Sequence, residues 1–355
     1  MNKIIDLRSD TVTLPSAKMR SAIAAAKLGD DVFSEDPSVN ELETKAAAIM
    51  GKDAGLLVPS GTMGNLVSIL VHCQRGTEII VGDKAHTFVY EAGGVSAFGG
   101  IHSRQLKNKV DGTIDIYDIN LAIRRDNIHF PKTSAITLEN THNLCNGAPL
   151  TPVYINSVSK ITNDNNMKLH IDGARIFNAA VALNIDVNEL VKDADSVTFC
   201  LSKGLAAPIG SVICGSEKFI YHARRIRKAL GGGMRQAGII ASAGMYSLDN
   251  MLDQIREDHK NTTRLAEGIN EIEGLSIDRE SIKSNILYFD IEKGAKRCEE
   301  LARQTKNITA YPFQIALDNI HFFESRPGRF RLVTHYGITG EDIEKTLGVL
   351  DKIVN

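Results

Sequence analysis

Through its first two thirds the chain alternates short apolar runs with stretches whose hydrophobic positions recur at helical spacing. Gly55–Pro59, Glu78–Val81, Ser134–Leu138, Lys168–Ile171, Ser196–Cys200 and Ser211–Cys214 read as strands, each short, mostly β-branched or aliphatic, and bounded by polar or turn residues. The first is followed by a predicted helix from about Thr62 to Cys73. Such runs separated by helices predict an α/β fold with a largely parallel sheet covered on both faces. Ligands of these sheets sit beyond the carboxyl ends of the strands. A long polar helical stretch, roughly Met251 to Glu273, then changes the texture. Asn285–Phe289, a helix around Ala295 to Gln304, Arg329–Val333 and a last helix from Thr339 follow. The expected organisation is an arm over residues 1–14, a large domain over 15–250, and a small α+β domain over 251–355.

Two residues give this pattern its chemistry. Asp172 ends the fourth of the strand runs above and Lys203 follows the fifth, 31 residues later in the chain (203 − 172). A lysine opening a glycine turn can hold an aldehyde as an imine, and an aspartate at the end of an earlier strand can hold a protonated pyridine nitrogen. Pyridoxal phosphate needs both, because its protonated ring is the electron sink for a carbanion. Ser60-Gly61-Thr62 lies between a strand and a helix, where backbone amides and the Thr62 hydroxyl would make a phosphate cradle. His86 follows the second strand, on the same rim, and suits ring stacking or proton transfer; a histidine hydrogen-bonded to backbone is the plainer reading. His129 stands in a loop before a proline, where surface exposure is ordinary, and His170 reads as a core residue within a strand.

Arg224, Arg225, Arg227 and Lys228 form a basic helical run. It reads either as a solvated face before an interhelical glycine turn, or as a basic corner that reaches an anion, together with Arg235, on a neighbouring subunit. Arg175 and Arg331 are the forks available to clamp a carboxylate between domains. The histidines lack the spacing of metal ligands, and no metal is expected.

Composition narrows the class without deciding it. A net charge of −2 gives no basic field for nucleic acid. No 18-residue apolar run suggests a membrane span, and the start lacks the apolar core of a signal peptide. Five scattered cysteines fit reduced packing residues, so a cytoplasmic enzyme is expected.

An ordered series of motifs carries a resemblance. It runs through Leu7-Arg8-Ser9-Asp10-Thr11-Val12-Thr13, Gly29-Asp30-Asp31-Val32, Asp36-Pro37-Ser38-Val39-Asn40, Ala85-His86 and Glu91-Ala92-Gly93-Gly94. It continues through Leu138-Glu139-Asn140-Thr141-His142-Asn143, His170-Ile171-Asp172-Gly173-Ala174-Arg175, Cys200-Leu201-Ser202-Lys203-Gly204-Leu205 and Gly231-Gly232-Gly233-Met234-Arg235-Gln236-Ala237-Gly238. With these, the chain resembles the low-specificity L-threonine aldolases, fold-type I pyridoxal-phosphate enzymes with an aspartate-aminotransferase-like fold, nearly end to end.

The resemblance implies that Lys203 binds the cofactor aldehyde, Asp172 the pyridine nitrogen, and His86 the ring face. It implies Gly61 and Thr62 at the phosphate, with Lys228 and Arg235 reaching it from a second subunit. Ser9, Arg175 and Arg331 would take the substrate carboxylate, and His129 would lie near the substrate hydroxyl. It also implies a homotetramer of tight dimers, and cleavage of threonine or allo-threonine to glycine and acetaldehyde. A β-eliminating lyase or an aminotransferase on the same fold is the main alternative, and a non-catalytic cofactor-binding protein the remoter one. Phe33 and Ser34 depart from the family's tyrosine and glycine, and the stretch after Asn143 departs from its usual glycine-rich form. Both bear on side-chain preference.

Overall fold

A computed structural model describes residues 3–291, 313–317 and 319–354. The helix expected around Ala295 to Gln304 lies outside the described residues. Strand β1 is Ile5–Asp6; β2 to β8 are Ala54–Val58, Glu78–Gly82, His102–Leu106, Thr133–Glu139, Lys168–Asp172, Ser196–Cys200 and Ser211–Gly215. Strands β9 to β13 are Leu275–Ser276, Ile286–Ile291, Phe313–Leu317, Ile320–Arg326 and Arg329–Val333.

The larger sheet has seven strands in the order β2-β8-β7-β6-β5-β3-β4. Its pairings from β7 to β4 are all parallel, whereas β8 runs antiparallel to both β7 and β2. Central strands β7 and β8 are buried along their whole length, which is why they read as unbroken apolar runs rather than alternating ones. Edge strand β4, His102-Ser103-Arg104-Gln105-Leu106, escapes that reading because an edge needs no apolar run. The core between this sheet and its helices includes Leu57, Ile136, Leu169, Ile171, Val197, Phe199 and Val212, all fully buried or nearly so.

The helix Gly61–His72 shows how the sequence places the site. Ser60 caps it, its Oγ accepting from the Met63 amide at 3.2 Å. Gly64 lets the helix lie tight on β7, since a Cβ there would stand 2.4 Å from Thr198 Cγ2. Close approach brings the polar residues of this face, Asn65, Ser68 and His72, against the sheet rather than water.

The second sheet runs β1-β12-β13-β10-β9, with β11 paired to β12. Strand β1, from the expected arm, pairs in parallel with β12, Ile5 opposite Ile320. Ile5 and Leu7 share a core with Leu265, Ile269, Phe289, Phe322 and Phe330. The long helix Leu252–Glu271 and the last helix Gly340–Val354 pack together beside it.

Candidate active site

Asp172 ends β6 and Lys203 follows the adjacent β7, so parallel pairing puts both at the carboxyl edge of the sheet. The Asp172 carboxylate is buried; Oδ2 accepts from Asn65 Nδ2 at 2.9 Å and Oδ1 from the Ala174 amide at 3.1 Å. Burial and the nearby Glu139 push its pKa up, and the charges of His86 and Lys203 and the Ala174 amide hold that rise back. Lys203 is half-buried, and its carbonyl accepts from Thr13 Oγ1 at 3.1 Å, tying the lysine turn to the amino-terminal segment.

His86 opens a short helix after β3. Its amide donates to Glu139 Oε2 at 2.8 Å and its Nδ1 lies 2.9 Å from Glu91 Oε1. Burial disfavours charge on the imidazole, but the Glu91 hydrogen bond and the charges of Asp172 and Glu91 outweigh burial and raise its pKa. The Glu91 carboxyl is also pushed up, by burial first and despite His86. Ligand atoms of His86, Glu91 and Asp172 lie within 4.8 Å of one another, a compactness the sequence spacing did not suggest. Hydrogen bonds bridge these groups: His86 Nδ1 contacts Glu91 Oε1, and Asn65 Nδ2 donates to Glu91 Oε1 at 2.8 Å as well as to Asp172.

The two predicted carboxylate forks turn out unlike. Arg175 is buried and engaged by Asp10 in a two-point pair, Nε to Oδ2 at 2.6 Å and Nη2 to Oδ1 at 2.7 Å. Burial alone would raise the Asp10 pKa, yet Arg175, with help from Lys203 and Arg331, drives it far below the usual carboxylate range. Arg175 is therefore not the open fork expected; only Nη1 remains, 3.3 Å from Asn143 Oδ1. Arg331 is the open one. Its Nη2 donates to the same Asn143 Oδ1 at 2.8 Å and its Nη1 to the Arg8 carbonyl at 3.1 Å, while its buried Nε has no partner. Burial first, and then the charge of Arg175, pull the Arg331 pKa down against the opposing influence of Tyr288 and Asp10. Ser9 lies one residue from Asp10, its Oγ accepting from the Thr11 amide at 3.2 Å.

The remaining predicted residues are not gathered into this cluster within one chain. Gly61 and Thr62 sit at the amino end of the Ser60-capped helix, Thr62 exposed. The basic run is divided: buried Arg227 donates to Asp31 Oδ2 at 2.6 Å and to the Leu57 carbonyl at 2.7 Å, and half-buried Arg224 pairs with Glu43 at 2.7 Å, whereas Arg225 lies on the solvated face. Lys228 is exposed, and so is Arg235, whose Nη1 donates to Asp30 Oδ2 at 3.0 Å. His129 is exposed in the loop leading to the amino end of β5, opposite the edge from which Asp172 and Lys203 emerge. Phe33 is 68% exposed, and Ile128, next to His129, is 99% exposed.

Asp10, Asn65, Glu91 and Asn143 were given no role from sequence. Asn65 had a usable signal: with Ser68 and His72 it forms a polar stripe on the helix face that also carries Gly61, at spacings of four, three and four residues. Asp10 and Asn143 have none, because the contacts that define them, Asp10 with Arg175 and Asn143 with Arg175 and Arg331, join segments 165, 32 and 188 residues apart.

The donor set fits pyridoxal phosphate. A half-buried lysine beside a buried aspartate, a histidine on the same rim, a capped helix start and an arginine with an orphaned buried Nε are the groups the cofactor and an amino-acid carboxylate require.

Comparison with known proteins agrees. The β-eliminating lyase family matches residues 6–292. A probable low-specificity L-threonine aldolase 2 from Arabidopsis thaliana is 46% identical over 99% of this chain and 97% of its own length. The low specificity L-threonine aldolase of Escherichia coli strain K12 is 41% identical over 96% of each chain. A solved Leishmania major threonine aldolase superposes with a TM-score of 0.78 at 18% identity, over 99% of this chain and 100% of that one, which establishes the shared fold.

Proposed function

The chain belongs to the β-eliminating lyase family, among its low-specificity L-threonine aldolases, and on that premise we propose that it cleaves L-threonine and L-allo-threonine to glycine and acetaldehyde. The observation that carries the reading is that Asp172, ending β6, and Lys203, just past the adjacent parallel β7, share the carboxyl edge of the sheet, with Arg331 offering a buried, unpartnered Nε. Pyridoxal 5′-phosphate, when bound, supplies the electron sink that makes a negative charge at the amino-acid α-carbon tolerable.

Lys203 would hold the cofactor's aldehyde carbon, Asp172 its ring nitrogen, His86 its face, and Gly61 with Thr62 its phosphate. Lys228 and Arg235 would complete the phosphate site from a neighbouring subunit of a dimer-based homotetramer. Their exposure, and that of Phe33, Phe98 and Ile128, supports this assembly. The second sheet, as the small domain, delivers Arg331 to the substrate carboxylate and so fixes which bond at the α-carbon is set for cleavage. Arg175, already neutralised by Asp10, shapes the same corner through Asn143. Ser9 lies beside Asp10 and lends a hydroxyl to it.

Proton transfer from the β-hydroxyl falls to Nε2 of His86, because Nδ1 is occupied by Glu91. The resemblance offers His129 as the other histidine for that hydroxyl; exposed at the opposite edge of its own sheet, it would have to act from a second chain. Breaking the Cα–Cβ bond then releases the aldehyde, and a proton returned to the α-carbon, balancing the one taken from the hydroxyl, yields glycine.

The test is product analysis on purified, cofactor-loaded protein. Equal amounts of glycine and acetaldehyde from either threonine diastereomer support aldol cleavage; ammonia with 2-oxobutyrate would move the reaction to elimination.

A further inference from the structure

Behind Asp172, away from Lys203, a chain of polar side chains crosses the interface between the helix Gly61–His72 and the sheet. His72 Nε2 lies 2.7 Å from Ser196 Oγ, and Ser196 Oγ lies 2.9 Å from His170 Nδ1. His170 Nε2 lies 3.2 Å from Asn65 Oδ1, and Asn65 Nδ2 reaches Asp172 at 2.9 Å and Glu91 at 2.8 Å. All but His72 and Glu91 are at most 2% exposed.

One polarity satisfies every contact in this chain. Two carboxylates accept, so the amide NH2 faces them and spends one hydrogen on each. Asn65 Oδ1 then needs a donor, which makes Nε2 the protonated nitrogen of His170. Nδ1 of His170 is left as an acceptor for the Ser196 hydroxyl, and Ser196 Oγ accepts from His72 Nε2. Burial keeps both imidazoles neutral, pulling His170 to about 3 and His72 to about 4. Every N–H and O–H along the chain therefore points toward Asp172 and Glu91.

We propose that Asn65 is a positioning residue, oriented by His170, Ser196 and His72, which holds Asp172 ionised and aimed as the acceptor for the cofactor ring nitrogen and keeps it from sharing a proton with Glu91. The inference rests on the cofactor reading above. Asp172 needs this support because the groups facing it are mixed: Glu139 on β5 and Glu91 disfavour its charge, while Lys203 after β7 and His86 favour it. His170 on its own strand is neutral and contributes only through Asn65. Hydrogen bonds aligned head to tail in a dry interior strengthen one another, so the far end at His72 contributes to the near end.

The test is the affinity of apo-protein for pyridoxal phosphate, measured by absorbance titration across pH 6 to 9, for wild type, Asn65→Leu and Ser196→Ala. Asn65→Leu should weaken binding by about 10- to 100-fold, the scale seen when outer-shell partners of a bound group are removed. The loss should grow as pH falls, because an unsupported Asp172 takes up its proton at higher pH. Ser196→Ala, which cuts the chain two links further back, should shift affinity in the same direction by less, and it decides the matter if Asn65→Leu does not fold. A loss that is equal at all pH values would reduce Asn65 to a packing residue, and unchanged affinity in both variants would overturn the proposal. Weakened binding in the variants of a wild type that makes no glycine would keep the positioning role and discard the aldolase reading.

Discussion

The two ends of the cofactor site differ in how finished they are. At Asp172, where we propose the ring nitrogen binds, the carboxylates and Arg175 are buried and partnered within one chain: Asp172 by Asn65 and Ala174, Glu91 by Asn65 and His86, Arg175 by Asp10. Around the phosphate end Thr62, Lys228 and Arg235 are exposed, and Arg235 rests on its own chain's Asp30. The difference is physical. A buried carboxylate must be satisfied as the chain folds or it is protonated, whereas an exposed cation is satisfied by water until a partner and an anion arrive. The finished end is a property of the fold, and the open end is the one we propose a neighbouring chain completes.

The comparison breaks first at Lys203. Replacing it with alanine should abolish turnover and the visible absorption of the bound cofactor while leaving the buried cluster and the fold intact. Full activity in Lys203→Ala would remove the basis of the account.

The two arginines sharpen it. Arg331→Ala removes a fork whose Nε is unpartnered, so it should raise KM for threonine, at a cost of about 2–3 kcal/mol in kcat/KM, with little change in melting temperature. Arg175→Ala strands a fully buried Asp10 and should instead cost about 3–5 kcal/mol of stability. That stability is present above the ordinary carboxylate pKa and is lost as pH falls toward the depressed folded value, so the variant should lose most at neutral pH and least in acid. Equal kinetic and thermal effects in the two variants would contradict the distinction.

A smaller effect is expected at Glu91. His86 acts as a base only when neutral, and Glu91 raises its pKa, so the acid limb of kcat/KM should lie above the ordinary imidazole value. Glu91→Gln removes that anion and should move the limb to lower pH. A limb that stays in place would assign the proton to another group.

Much of this was legible in the chain. Strands β2, β3 and β5 to β8 declared themselves because burial on both faces writes continuous apolar runs, and Asp172 and Lys203 stood directly after two of them. The polar edge β4 and strands β11 and β12 had no such signature, and β1 pairs with a strand more than 300 residues away, which no local pattern records. At the site, sequence supplied residue types but not their commitments. Arg175 and Arg331 look alike in the chain, and Asp10 alone separates them. His170 reads as an ordinary core histidine until Asn65 and Ser196 are seen on either side of it.

The measurement that bears most directly on a finished end and an open end is complementation between two inactive proteins. One carries Lys203→Ala, the other Lys228→Ala with Arg235→Ala. If the phosphate end is completed by a neighbouring chain, unfolding and refolding the two together restores wild-type sites in hybrid dimers, to about a quarter of wild-type activity for random pairing at equal amounts. If the mixture stays as inactive as its components, each chain completes its own site, and the account of the open end is wrong.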